Sequence, residues 1–102
     1  MNINLTPNEI HQINKILQKF TEIDTAILFG SRAMKTNQAG SDIDIALKGK
    51  INFDVLTKVK SELEESPLPY FFDVIDYNTI NNPDLKKHID TKGCDFYKRQ
   101  GF

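Results

Sequence analysis

Residues 29–47 read FGSRAMKTNQAGSDIDIAL. A Gly-Ser pair, Gly30 and Ser31, follows an apolar run. Arg32 and Lys35 come next, and after a polar loop the chain resumes as Asp42-Ile43-Asp44. Two carboxylates at alternate positions of an otherwise apolar strand are costly. A buried, unpaired carboxylate either loses several kcal/mol or shifts its pKa. Ile43, Ile45 and Leu47 fall on one face of this strand, and Asp42, Asp44 and Ala46 on the other. The pattern therefore predicts that something cationic meets the acidic face.

Outward from this stretch, the elements can be read in both directions. Thr6-Pro7-Asn8-Glu9 is a helix start, with Thr6 as N-cap, Pro7 at the first helical position and Glu9 closing a capping box. Ile10, Ile13, Ile16, Leu17 and Phe20 follow at helical spacing. Asp24 to Phe29 is a short apolar run ending at Gly30, which predicts a buried strand. Ser31 can cap a helical turn over residues 32–35. SDIDIAL is the second strand, and Asn52 can cap a helix carrying Val55, Leu56, Val59 and Leu63 that stops before Ser66-Pro67. PYFFDVIDY is the third strand. Asn82-Pro83 opens a last helix with Leu85 and Ile89 on one side and Gly93 as its C-cap.

A strand-helix-strand crossover makes the second and third strands parallel. The link between the first two is too short for a crossover, so they are expected antiparallel. The expectation is an α/β (α+β) fold, a small mixed three-stranded sheet packed with helices, in one domain over residues 1–102.

Carboxylates at i and i+2 of a strand lie roughly 6.5–7 Å apart along the backbone. They can converge on two divalent cations about 3.5–4 Å apart, a cage that a third carboxylate from a neighbouring strand completes. Asp73 and Asp76 are the candidates. Strand parity puts Asp73 with Phe71 and Ile75, and Asp76 with Phe72 and Val74. Asp76 stands near the strand end, where solvent is expected to reach it. Asp73 stands mid-strand among apolar residues, so Asp73 is the expected third ligand. A lone Asp-x-Asp usually faces water, and a lone Gly-Ser is usually a tight turn. Their conjunction is more specific. Glycine permits close backbone approach, and a serine at a helix start offers hydroxyl and amides to phosphate.

Other classes are narrowed by composition. Thirteen Lys and Arg against fourteen Asp and Glu give a net charge of −1, so no global basic field points to nucleic acid. Cys94 is the single cysteine, which excludes an intramolecular disulfide and suits a reducing cytoplasm. Neither His11 nor His88 has zinc-site spacing with it, and Cys94 reads as a small packing residue. No signal-like start or long apolar run points to a membrane, so a cytoplasmic location is expected.

GSRA followed by SDIDIAL, with a later strand aspartate, resembles the nucleotidyltransferase signature of the DNA polymerase beta superfamily. The short length points to its minimal nucleotidyltransferase (MNT) branch. The resemblance runs from the leading helix to IDTKGCDFY, and one departure is Lys35, where the family places a second glycine. It implies a nucleotidyltransferase fold with Gly30 and Ser31, helped by Arg32, on the triphosphate of ATP or another nucleoside triphosphate. It implies Asp42, Asp44 and Asp73 as catalytic metal ligands for Mg²⁺, two ions in all, with Asp73 serving the acceptor. It further implies a HEPN-domain partner, held in a hetero-oligomer as a toxin–antitoxin pair, and transfer of AMP to that partner. Two rivals are transfer to a small molecule, whose enzymes carry an additional helical domain, and a non-catalytic antitoxin that neutralises its partner by contact.

Overall fold

Local sequence signals set most of the element boundaries in this computed structural model, which describes residues 5–30 and 42–99. Helix α1 spans Pro7–Leu17. The Thr6 hydroxyl accepts from the Glu9 amide at 3.1 Å, and the Glu9 carboxylate accepts from the Thr6 amide at 2.9 Å. Helix α2, Phe53–Glu65, starts where the Asn52 side chain accepts from the Val55 amide at 2.8 Å. Helix α3, Pro83–Lys92, starts where Asn82 accepts from the amides of Asp84 and Leu85. Each cap satisfies amides that the first helical turn leaves without intrahelical partners.

Gly93 does cap α3, its amide donating to the Ile89 carbonyl at 3.0 Å, but its backbone is extended. Glycine is required there for room. A Cβ at this position would collide with the Ile89 carbonyl oxygen and the Ile27 side chain.

Among the described residues, four strands form one sheet: β1 (Ile23–Phe29), β2 (Ile43–Gly49), β3 (Phe72–Asp76) and β4 (Cys94–Lys98), in the order β3-β2-β1-β4. As expected, β1 and β2 are antiparallel and β2 and β3 parallel. The expected three-stranded sheet is corrected to four, because CDFYK adds β4 antiparallel to β1 on the far side from β2. The expected helical turn after Ser31, with Arg32 and Lys35, lies outside the described residues.

The two faces of the sheet are covered unequally. On one, Ala26, Leu28, Ile43, Ile45, Leu47, Phe72 and Phe96 pack beneath α1 and α2, which contribute Ile13, Leu17, Val55, Val59 and Leu63. Burial of a side chain such as Leu63 contributes about 1.5–3 kcal/mol. On the other face a smaller cluster of Ile27, Phe29 and Ala46 packs against Ile89, with Leu85 and Ile75 beside it. Helix α3 covers β1 on this side. The acidic residues emerge where that cover ends. Among the described residues no helix is long and apolar enough to cross a membrane.

Candidate active site

Strand registry assembles the site. Phe29 is the partner of Asp44 across the antiparallel β1–β2 pair, and Asp44 is the partner of Asp73 across the parallel β2–β3 pair. Phe29, Asp44 and Asp73 thus form one rung on the face that carries α3. The neighbouring rung, Ile27–Ala46–Ile75, is apolar. Asp42 lies two residues before Asp44 and, by strand alternation, on the same face.

The expected third carboxylate, Asp73, is therefore beside Asp44, but the expected exposures are reversed. Asp73 is exposed, whereas Asp76 is 7 % exposed and buried. Because β3 is an edge strand and α3 lies over β1, a mid-strand residue of β3 on this face stays open to water. Asp76 instead closes a local turn. Its carboxylate accepts from the Asn78 amide at 3.0 Å and its carbonyl from the Thr79 hydroxyl at 3.1 Å, capping the 3₁₀ turn Tyr77–Thr79.

Burial pushes the Asp44 carboxyl above its ordinary value, the negative charges of Asp73 and Asp42 add to that, and His88 pulls the other way. These are the effects expected of like charges held together in a half-buried position. The two ion pairs among the described residues, Lys19–Glu62 and Lys58–Asp54, involve none of the three. Lys48 and Lys86 sit 4.4 and 5.1 Å from the centre of the Tyr77 ring, whose hydroxyl donates to Asp90 at 2.5 Å.

Gly30 joins this arrangement directly. It has φ +78°, in the left-handed region that glycine tolerates, and a Cβ there would collide with Asp44 Oδ2. Its amide donates to His88 Nε2 at 3.1 Å, and the His88 ring meets Phe29 edge-on at 6.4 Å between centroids. Sequence reasoning did not select His88. It sits on a polar helix, and only a contact spanning 58 residues gives it a place in the site. Ser31 and Arg32 lie outside the described residues.

Three carboxylates on one face are a hard-oxygen donor set suited to Mg²⁺. Among the described residues, no three His, Cys, Asp or Glu side chains are grouped closely enough to hold an ion. The carboxylates therefore share a face without closing a cage.

A mixed sheet with a glycine turn at the end of β1 and paired aspartates on β2 and β3 defines the nucleotidyltransferase fold. Residues 11–101 match the family profile described as polymerase beta, nucleotidyltransferase, and the chain belongs to that family. No curated protein matches the sequence significantly.

Among solved structures, the chain is similar to one in a toxin–antitoxin complex with AMP-PNP. The two are 24 % identical with TM-score 0.73, over 89 % of this chain and 74 % of that one. It is also similar to a chain in the complex of tri-AMPylated Shewanella oneidensis HEPN toxin with MNT antitoxin. That pair is 22 % identical with TM-score 0.66, over 89 % and 71 % of the two chains. A chain of an Asp-to-Glu double variant of the MntA–HpeT toxin–antitoxin pair gives 21 % identity and TM-score 0.70, over 89 % and 74 %.

Proposed function

We propose that this chain is a single-domain, Mg²⁺-dependent, cytoplasmic nucleotidyltransferase. It transfers AMP from ATP to a side chain of a HEPN-type protein partner, with which it forms a toxin–antitoxin pair. The observation that carries the reading is the rung shared by Asp44 and Asp73, with Asp42 on the same face and Gly30 packed against Asp44. The AMP-PNP bound in one similar complex and the AMPylated toxin in another support the choice of nucleotide and acceptor.

In this reading the turn after β1 receives the triphosphate, with Gly30, Ser31 and Arg32 as its residues. Asp42, Asp44 and Asp73 would hold the Mg²⁺ ions, which polarise the α-phosphate and offset the charge of departing pyrophosphate. The acceptor oxygen forms a bond to the α-phosphorus as the bond to the bridging oxygen breaks and pyrophosphate leaves. Asp73 is exposed on the edge strand, and in this reading it would meet the acceptor and take its proton.

Phe71, 74 % exposed, lies two residues before Asp73. Aromatic residues are enriched where proteins meet, and this one flanks the acceptor's approach. Burial first, and then the negative charges of Asp73 and Asp42, hold the Asp44 carboxyl above its ordinary value, and a bound cation would offset both costs. The test is to incubate the protein and its HEPN partner with Mg²⁺ and each labelled nucleoside triphosphate in turn. Label on the partner from ATP is expected. Absence of label with every triphosphate would reject the reading.

A further inference from the structure

The structure assigns His88 as a positioning residue that fixes Gly30, and through it the first turn of the site. Two observations converge on this one side chain. Its Nε2 accepts the Gly30 amide at 3.1 Å. Its ring is braced edge-on against Phe29, the residue that opens the Asp44 rung.

The chemistry of this hydrogen bond is specific. An imidazole nitrogen that accepts a backbone N–H carries no proton, so the ring proton is on Nδ1. Gly30 needs such a partner. It is held at φ +78°, with no room for a Cβ beside Asp44 Oδ2, so nothing on its own side chain can fix that conformation. The acceptor comes from α3, which the Ile89 and Leu85 contacts with Ile27 and Phe29 hold on the sheet. In this arrangement the Gly30 amide is committed to His88. What Gly30 brings to the site is its backbone direction and the space it leaves for Asp44.

That the turn cradles a nucleotide rests on the function proposed above; the hydrogen bond does not. The experiment separates the two. His88→Phe keeps a ring against Phe29 and removes the acceptor, whereas His88→Gln places an amide oxygen near the position of Nε2. Amide hydrogen exchange at Gly30, followed by NMR with the β1–β2 ladder amides as internal control, reads the bond directly.

In His88→Phe, exchange at Gly30 is expected to rise about tenfold or more while the ladder stays protected. His88→Gln should restore protection. In nucleotidyl transfer assays with ATP and Mg²⁺, His88→Phe should raise KM several-fold more than it lowers kcat, with recovery in His88→Gln. Unchanged Gly30 exchange in His88→Phe, or His88→Gln behaving like His88→Phe, would overturn the assignment. Restored protection in His88→Gln with a wild-type protein that binds no triphosphate would uphold the assignment and overturn the nucleotide reading instead.

Discussion

Asp44 and Asp73 are register partners on adjacent parallel strands, so two carboxylates from residues 29 positions apart stand side by side on one face of the sheet. Nothing in ordinary sheet packing favours that pairing, since like charges directly opposite are destabilising. A cation between them would offset that repulsion.

Burial and that repulsion act together on Asp44. The Asp44 carboxyl is raised in the folded protein, mainly by burial and then by Asp73 and Asp42. Its ionisation therefore costs stability as pH rises through the carboxylate range, and below the unfolded-state value of about 3.9 the cost is absent. Without metal, Asp44→Asn should melt at a higher temperature than wild type at pH 7. The difference should shrink on acidification below about pH 4. Thermal melts across pH check this, and a variant less stable at pH 7 would contradict it.

Gly30 should tolerate no side chain. Gly30→Ala incurs the left-handed backbone penalty of about 1–2 kcal/mol, plus the collision with Asp44. In a domain of this size, each 1 kcal/mol lowers Tm by about 4–8 °C. Calorimetry should show at least that loss, together with weaker triphosphate binding.

Asp73 and Asp76 should separate function from stability. Asp76→Ala removes the cap of the 3₁₀ turn and should cost about 0.5–2 kcal/mol while leaving Mn²⁺ binding intact. Asp73→Asn, on an exposed position, should leave Tm nearly unchanged and weaken Mn²⁺ binding. Calorimetric titration of the two variants decides the matter. Equal metal affinity in both would remove Asp73 from the site.

How much of this could be read from the chain differs by element. The caps at Thr6, Asn52 and Asn82 are local chemistry and were legible residue by residue. Strand parity likewise separated Asp73 from Asp76, because a period of two needs no tertiary knowledge, whereas the register that sets Asp73 beside Asp44 is a tertiary fact. The exposures of Asp73 and Asp76 were not legible, because the first depends on α3 lying over β1 and leaving β3 open, and the second on the 3₁₀ turn that Asp76 closes. Strand β4 was missed because CDFYK is five residues long, carries two charges and pairs with residues about 70 positions earlier. Phe96, buried beside an exposed Asp95, was the one core signal in this segment. His88 had no local signal at all, since its role depends on one long-range hydrogen bond.

The catalytic claim is tested most directly by co-expressing the chain with the proposed HEPN-type partner and measuring that protein's intact mass. Wild type should yield a partner heavier by whole AMP units. Asp44→Asn should still co-purify with the partner but leave it unmodified, with transfer reduced by about three orders of magnitude, the rate equivalent of several kcal/mol of lost charge stabilisation. A partner that is neutralised by wild type yet carries no added nucleotide mass would contradict the account.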